Sequence, residues 1–392
     1  MLQRAPRVCK ALWIHCIALL LCAAPAAADW ASFRGDSSLT GRADAALPER
    51  LEPLWTFQVD DGFFATAALV DGKVYAPALD GVLYVLDQAT GSELWSYRAK
   101  NEIKSSPLVR EGVVYFGDES GVLHAVDAET GGARWTFEAG AAVTSSPNLA
   151  GGCLLFGAYD NNLYCLDPAS GKERWKVETQ SYVHATPAVF DNSEVLIAGC
   201  DGALRRVRLK DGEELGSTSL GGYAAASPAI TEGVAVVGTF ENQVLAVEVA
   251  SGEVRWTYEN PERAFPYYAS AAIAGDRAVV AGRDKAVRAL SLKDGSELWK
   301  RSFRARLDAS PVVAGERAYI AGQDGSLHAL GLASGEVAWQ FETGSAFDAS
   351  PAIADGRLVI GSADGTLYCF GTQSSSVESN DSASRDKTRA SR

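Results

Sequence analysis

SSPLVREGVVYFGDESGVLHAVDAETGGARW, residues 105–135, contains four short runs of aliphatic, β-branched and aromatic residues, and the runs are separated by turn residues. Glu111-Gly112, Ser120-Gly121 and Thr130-Gly131 place a glycine where a tight hairpin needs a positive φ. This pattern predicts a four-stranded antiparallel meander, whose strands are named A to D in chain order.

The same pattern recurs along the chain with a period of about 40 residues. A proline or alanine marks strand A in eight copies: Ala67, Pro107, Pro147, Pro187, Pro228, Ala271, Pro311 and Pro351. A tryptophan marks strand D in seven of them: Trp55, Trp95, Trp135, Trp175, Trp256, Trp299 and Trp339. Four strands per unit at this period are typical of a β-propeller, so we predict an all-β, eight-bladed β-propeller of four-stranded antiparallel blades.

The first and last copies are incomplete in complementary ways. Residues 54–57 match strand D but follow no strands A to C, whereas the last copy, residues 350–370, has strands A to C and no strand D. We predict that residues 54–57 pair with strand C of the last blade, residues 366–370. An N-terminal strand would then close the last blade and leave no free edge between the first and last blades.

The fourth copy departs from the pattern. Arg205-Arg206-Val207-Arg208 replaces the apolar run of strand C, and Leu215-Gly216 replaces the tryptophan of strand D. Because a large buried residue is missing, we predict that the fourth blade is the least well packed, unless the arginine run compensates. Hydrogen exchange should then be faster in residues 186–219 than in the third blade.

The two ends of the chain differ from the repeats. Residues 1–28 combine a basic start with an apolar run at 11–24 and small residues at 26–28, which predicts a signal peptide cleaved near Ala28. The apolar run is too short to suggest a transmembrane segment. Cys22 follows Leu21 rather than a small residue, so we expect no lipid anchor. The predicted propeller covers 29–371, and the polar segment 372–392 is predicted to be a disordered tail.

Charge and compartment narrow the possible partners. The chain carries a formal net charge of −13, and residues 1–28 contain three basic and no acidic side chains, so the remainder is more acidic still. An acidic protein of this kind is not expected to bind nucleic acid. We expect a periplasmic or secreted protein.

Four cysteines follow the predicted signal peptide: Cys153, Cys165, Cys200 and Cys369. If the B–C turn of the third copy is Asp160-Asn161, Phe156 faces Cys165, and Cys153 lies on the other face of the sheet. Cys369 lies three blades from Cys165, and Cys200 has only Cys165 as a conceivable partner. We therefore predict four free thiols, with Cys165 and Cys369 buried.

The repeat resembles a known family. Residues 125–135 (Ala-Val-Asp-x-x-Thr-Gly-x-x-x-Trp) and 166–175 (Leu-Asp-Pro-Ala-Ser-Gly-x-x-x-Trp) resemble the quinoprotein-type propeller repeat. Eight such repeats form the propeller of the pyrroloquinoline-quinone dehydrogenases. They also form the non-enzymatic family typified by BamB, a lipoprotein of the outer-membrane β-barrel assembly machinery. The resemblance covers about residues 30–371 and implies the fold more strongly than an activity.

Catalysis by a bound quinone is not expected. The resemblance implies a vicinal disulfide, a stacking tryptophan and a calcium ion in the dehydrogenases, yet this sequence contains no adjacent cysteine pair. His124 and His328 are expected to fill a strand-C position that Tyr84, Tyr164 and Tyr368 occupy in other copies, and no two histidines have metal-ligand spacing. We predict no catalytic residues, no cofactor and no metal site.

The residues that lead into strand A include two positions that are small in every copy. The residue before the marker is serine or threonine in all eight copies, and the one before it is alanine or serine. Close packing around the propeller axis explains these small residues; a hydroxyl-lined ligand channel is the alternative.

The residue before these two small positions diverges between copies, and the residue before that one is mostly large and apolar. A constant scaffold with a divergent rim is typical of a binding surface, although neutral drift gives the same pattern. The candidate binding rim consists of Phe63, Phe64, Lys104, His184, Tyr267, Tyr268, Asp308 and Asp348.

These observations favour an exported binding or scaffolding propeller. We expect a protein–protein interaction platform of the cell envelope, similar to the outer-membrane protein assembly subunit, with one or more protein partners. The alternative is a small-ligand or quinone-binding protein that resembles the pyrroloquinoline-quinone dehydrogenases.

Overall fold

Eight β-sheets make up the structure, a computed structural model that describes residues 29–44 and 46–372. Seven sheets have four strands and one has five, and the described residues contain no helix. The predicted all-β, eight-bladed β-propeller is confirmed. Nothing helical in these residues is long and apolar enough to cross a membrane. The predicted signal peptide and residues 373–392 of the predicted tail lie outside the described residues.

The first strands are β1 Arg42–Ala43, β2 Glu52–Gln58, β3 Ala68–Val70, β4 Lys73–Pro77, β5 Val82–Asp87, β6 Glu93–Arg98, β7 Leu108–Arg110, β8 Val113–Gly117, β9 Val122–Asp127, β10 Ala133–Glu138, β11 Asn148–Ala150, β12 Cys153–Gly157, β13 Asn162–Leu166, β14 Glu173–Glu178, β15 Ala188–Phe190, β16 Glu194–Ala198, β17 Ala203–Arg208 and β18 Glu214–Ser219. The remaining strands are β19 Ala229–Thr231, β20 Val234–Gly238, β21 Gln243–Glu248, β22 Val254–Glu259, β23 Ala272–Ala274, β24 Arg277–Ala281, β25 Ala286–Ser291, β26 Glu297–Ser302, β27 Val312–Ala314, β28 Arg317–Ala321, β29 Ser326–Gly331, β30 Val337–Glu342, β31 Ala352–Ala354, β32 Arg357–Gly361 and β33 Thr366–Gly371. Blades 1 to 7 take four strands each, in order from β3, and β1 adds a parallel strand to blade 7.

Blade 8 combines β31 to β33 with the N-terminal β2. In the antiparallel pair of β2 and β33, Trp55 faces Cys369 and Phe57 faces Leu367. The predicted closure by residues 54–57 is confirmed. Since the two ends of the chain share one sheet, the ring has no open seam.

The segment 30–43 crosses the inner ends of the blades before the first repeat begins. Its carbonyls accept backbone hydrogen bonds from strands A of six blades: Leu69 to Trp30, Val109 to Ala31, Val189 to Ser37, Ile230 to Ser38, Ile273 to Thr40 and Val313 to Gly41. The buried Arg34 donates from Nη2 to the carbonyls of Ala271 (3.0 Å) and Pro311 (2.6 Å). These contacts lie near the far ends of strands A, so the segment closes the end of the channel opposite the candidate rim.

A tryptophan of strand D joins most blades to the next. Trp175 of blade 3 lies against Gly212 in the C–D turn of blade 4, and its Nε1–H donates to the carbonyl of Leu209 at 2.9 Å. Gly212 has a φ of +75° and no Cβ, so it suits both the turn and the indole. Across the C–D pair, each such tryptophan faces a small residue: Val85, Ala125, Cys165, Ala246, Ala289, Ala329 or Cys369.

Blade 4 joins blade 5 differently. Gly216 takes the position of the tryptophan, and Arg206 takes the facing position that is small elsewhere. Nη1 of Arg206 donates to the carbonyls of Val249 and Ala250, each at 2.5 Å. Val249 is the blade 5 counterpart of Leu209, so the arginine replaces the hydrogen bond of the missing indole.

The prediction of four free thiols is wrong for two of the four cysteines, because Cys153 and Cys165 form a disulfide with a Cα–Cα distance of 5.3 Å. The hairpin register differs by one residue from the expected one: Cys165 faces Leu155, not Phe156. Cys153 is two residues from Leu155 and therefore lies on the same sheet face as Cys165. Cys200 and Cys369 are free, and Cys369 is buried as predicted.

Candidate binding site at the open end of the propeller

Six of the eight predicted rim residues surround one pocket on the propeller axis. They are Phe64, Lys104, His184, Tyr268, Asp308 and Asp348, and Thr144 and Ala225 complete the ring. The pocket has a cavity volume of about 90 Å³ and is continuous with solvent at its mouth. Phe33 of the N-terminal segment lies at its inner end.

The other two predicted rim residues, Phe63 and Tyr267, lie beneath the rim. Each is only 2% exposed, and each packs against the glycine at the end of a neighbouring strand B, Gly361 for Phe63 and Gly238 for Tyr267. Successive residues of an extended chain point in opposite directions, so Phe63 faces the core when Phe64 faces the axis. Neither side chain is placed to contact a ligand.

Hydroxyl groups line the pocket below the rim and also join the blades. The backbone N–H of Thr66 donates to Oγ of Ser106 in the next blade at 3.0 Å, and Ser106 N–H donates to Ser146 in the same way. The same contact continues around the ring to Ser350. Each accepting hydroxyl therefore both lines the pocket and holds two neighbouring blades together at the axis.

A second ring of side chains surrounds the first, and the sequence analysis did not identify it. It comes from the B–C turns: Leu79, Glu119, Tyr159, Cys200, Phe240, Arg283, Gln323 and Ala363. The backbone N–H of each bonds to the D–A loop entering its own blade, whereas several side chains reach the rim residue of the next blade. Arg283 bonds Asp308 at 2.7 Å and Gln323 bonds Asp348 at 2.6 Å. This variable position directly precedes a residue that is aspartate in six of the eight copies, and that pattern could have identified it from the sequence.

His184 is held between two tyrosines. Its Nδ1 lies 2.7 Å from the hydroxyl of Tyr159, and its Nε2 lies 3.3 Å from the hydroxyl of Tyr268. Burial lowers the pKa of His184, although the charge of Glu119 opposes the shift. A neutral imidazole with both nitrogens engaged joins the rims of neighbouring blades rather than acting as a free base.

The remaining rim charges are mostly paired. Lys104 contacts Glu102 at 2.9 Å and Glu119 at 3.4 Å. Asp308 accepts from Arg283 and also contacts Arg306 at 3.2 Å. The guanidinium of Arg283 lies 4.8 Å from the centre of the Tyr268 ring, which adds a cation–π contact. These pairs give the mouth little net charge.

An aromatic groove opens from the pocket across blades 3 to 6. We define it by Tyr159, His184, Cys200, Tyr223, Phe240 and Tyr268. Tyr159 stacks on Tyr182 with ring centres 4.9 Å apart. Tyr182, Tyr223 and Phe265 occupy three successive D–A loops and are 52%, 61% and 42% exposed. The face therefore presents a row of rigid aromatic rings to solvent.

Histidines and carboxylates do not converge into a metal-binding group among the residues that the structure describes. His124 and His328 occupy the strand-C position of Tyr84 and Tyr164, as predicted. His124 bonds Asp118 of its own hairpin at 3.0 Å and stacks on Phe116. Its contacts are those of a core residue.

Comparison with known proteins identifies relatives by sequence. A family model described as outer membrane protein assembly factor BamB matches four overlapping segments, residues 45–181, 119–264, 159–306 and 283–378. The outer membrane protein assembly factor BamB of Burkholderia pseudomallei (strain K96243) is 35% identical over 95 residues, 23% of this chain and 24% of that protein. The chain thus matches about a quarter of the length of this curated relative.

Solved structures with the same fold have diverse functions. BamB from Moraxella catarrhalis superposes with a TM-score of 0.72 and 21% identity, over 82% of this chain and 100% of that one. Quinohemoprotein alcohol dehydrogenase from Comamonas testosteroni superposes with a TM-score of 0.74 and 13% identity, over 88% of this chain and 80% of that one. The computationally designed Ika8 protein superposes with a TM-score of 0.73 and 18% identity, over 82% of this chain and 100% of that one. At these identities the likeness shows the fold alone.

Proposed function

This chain belongs to the family of the outer membrane protein assembly factor BamB, and from that premise we propose that it is a non-catalytic, protein-binding propeller of the cell envelope. It acts in the periplasm or outside the cell, after removal of residues 1–28. Its partner is a protein that docks on the aromatic groove and the axial rim.

The row of exposed aromatic rings is the observation that carries this proposal. Tyrosine and phenylalanine are enriched at protein interfaces because they bury a large area at a small cost in side-chain entropy. Tyr182, Tyr223 and Phe265 lie on one face, whereas the other large exposed apolar residues, such as Leu94 and Leu298, lie on outer strands D. Aromatic exposure is thus concentrated where the divergent loops meet.

The chemistry of the rim supports binding more than catalysis. The hydroxyls join neighbouring blades, and His184 is engaged at both nitrogens. Most rim charges belong to ion pairs, such as Asp308 with Arg283. None of these groups is arranged as a nucleophile beside a base.

Site-specific photocrosslinking in intact envelopes tests the proposal. A crosslinking residue at position 223 should capture a protein, whereas one at position 298 on strand D of blade 6 should not. Tyr182→Ala/Tyr223→Ala should weaken capture through a probe at Phe265 by about tenfold or more, since buried aromatic anchors dominate such interfaces. Leu94→Ala/Leu298→Ala is the matched control and should leave capture unchanged. Equal losses in both variants would contradict the proposal.

The quinone-binding alternative has a simpler test. Addition of pyrroloquinoline quinone and calcium to the purified protein should leave the quinone absorbance spectrum unchanged. A spectral shift that disappears in Asp348→Asn would replace the protein-binding proposal with a ligand at the axis.

A further inference from the structure

Blade 4 leaves open the place that an indole fills in the other seven blades. The gap lies between strand D of blade 4 and the C–D turn of blade 5, and it has a cavity volume of about 150 Å³ and opens to solvent. A Cβ built on Gly216 would have no atom within 4 Å. Arg206 restores the hydrogen bond to blade 5 but does not fill this space.

The walls of the gap keep the features that receive an indole elsewhere. Gly252 retains a positive φ (+75°), like the glycines beneath the tryptophans of other blades. Leu215 and Val247 supply apolar surface, and the guanidinium of Arg206 offers a cation for an aromatic face. Two residues after Gly216, the smaller Thr218 replaces the larger side chain of other strands D, and the gap extends along the strand to this residue. These positions elsewhere hold Phe57, Tyr97, Phe137, Val177, Tyr258, Arg301 and Phe341. The hydroxyl of Thr218 donates to the carbonyl of Gly252 at 2.8 Å.

The edge of the same strand is also weakly protected. Strand D is the outermost strand of each blade, and charged side chains or proline on an edge strand discourage pairing with another chain. Residues 216–219 of blade 4 are Gly-Ser-Thr-Ser, so Glu214 is the one charged residue of this strand. The same four positions include a charged residue in six other blades: Arg98, Glu138, Lys176, Glu259, Lys300 and Glu342. In blade 8 they are uncharged, but they follow Pro53 and include Trp55, which fills the space between the blades.

We propose that blade 4 binds an extended segment of a partner polypeptide, which adds a strand to its edge and inserts one aromatic side chain into the gap. Backbone hydrogen bonds along the edge would supply part of the affinity, and the ring would supply the specificity. The seven other blades show that a ring fits this place. Residues 373–392 contain no aromatic residue and cannot supply it. A second copy is also a poor source: its strand-D indoles already pack within its own ring, and its exposed Tyr182, Tyr223 and Phe265 lie on loops between blades rather than on a free extended segment.

Two labelled peptides test the proposal with the mature protein. Fluorescein-labelled Thr-Val-Thr-Trp-Thr-Val-Thr should bind with a Kd below about 1 mM. The peptide with alanine in place of tryptophan should bind about tenfold more weakly or worse. Fluorescence anisotropy measures both, and hydrogen exchange should slow in residues 214–219 when the tryptophan peptide binds.

Four variants locate the site. Arg206→Ala/Gly216→Trp rebuilds the common repeat, closes the gap and should abolish the preference for the tryptophan peptide. Ser217→Lys charges the edge and should weaken binding of both peptides. Its matched control is Thr136→Lys at the same position of blade 2, which should have no effect. Tyr182→Ala/Tyr223→Ala should also leave peptide binding intact, so failure at the rim is distinguishable from failure at blade 4. Absence of binding, equal binding of the two peptides to the wild type, or a tryptophan preference that survives gap closure would overturn the proposal.

Discussion

Blades 3 and 4 are neighbours with the same strand order, yet they attach to the next blade by different chemistry. Blade 3 uses the indole of Trp175 against Gly212, with a small Cys165 facing the ring. Blade 4 places a long Arg206 where blade 3 has the small residue and Gly216 where blade 3 has the large one. Each side chain donates a hydrogen bond to the equivalent carbonyl of the next blade: Trp175 to that of Leu209, and Arg206 to that of Val249. The repeat therefore conserves a contact between blades rather than a residue.

The exchange is not equivalent in packing. The indole fills the space between blades, whereas the arginine spans it and leaves a gap. Within blade 3, the Cys153–Cys165 disulfide also joins strands B and C, whereas blade 4 contains only the free Cys200. The following predictions test how much these differences matter, beginning with the largest effect.

Trp175→Gly should make blade 3 resemble blade 4 without the compensating arginine. Removal of a tryptophan from a core costs about 3–5 kcal/mol, and the partial exposure of Trp175 favours the lower end. Denaturant unfolding should show this loss, and Trp175→Phe should recover most of it. A loss below about 1 kcal/mol would mean that the indole is not the main contact between these blades.

Loss of the disulfide should destabilise blade 3 by about 2–3 kcal/mol, because the bond closes a short loop. Cys153→Ser/Cys165→Ser, compared with wild type by denaturant unfolding, measures this effect. Thiol titration of the denatured, unreduced mature protein should count two thiols, Cys200 and Cys369. A count of four would restore the original prediction from the sequence.

Arg206 and Gly216 should be strongly coupled. Arg206→Ala leaves two carbonyls without their donor and should cost about 1–3 kcal/mol. Gly216→Trp alone should change stability little, because Arg206 already bonds the carbonyl of Val249 that the indole N–H would reach. The double variant should be at least as stable as wild type, which gives a coupling energy of about 1–3 kcal/mol in a double-mutant cycle.

Hydrogen exchange provides an independent check of this comparison. Residues 186–219 should exchange faster than residues 148–178 in the wild type, and the double variant should reduce the difference. Equal protection in the wild type would show that the arginine compensates fully for the missing indole.

The smallest predicted effect concerns His184, in the loop between these two blades. Its folded pKa lies below the unfolded value of 6.5, so the unfolded chain binds more protons between those two values. Stability should therefore fall as the pH falls below about 6.5. His184→Asn should reduce this slope, and His328, whose pKa burial also lowers, should supply part of the remainder. If the slope of stability against pH is unchanged in His184→Asn, residues other than His184 cause the pH dependence.

The repeat alone was sufficient to predict eight blades and the pairing of β2 with β33, because a period of 40 residues and the matching incomplete ends depend only on local pattern. It also located the axial rim, since Phe64, Lys104 and Asp348 occupy one position in successive copies. The separation of Phe63 from Phe64 required the direction of each side chain, which the period of the repeat does not specify.

Tertiary structure decided the contacts that depend on turn length and on packing between blades. The B–C turn of blade 3 has three residues, ending in Asn161 with a φ of +70°, rather than the expected two. That single residue moved Cys153 to the face of Cys165 and made the disulfide possible. The bond from Arg206 to Val249 joins residues 43 positions apart. The sequence alone identified the arginine run and the missing tryptophan. Only the packing of the blades places the guanidinium within hydrogen-bond distance of the carbonyl to which an indole N–H donates in other blades.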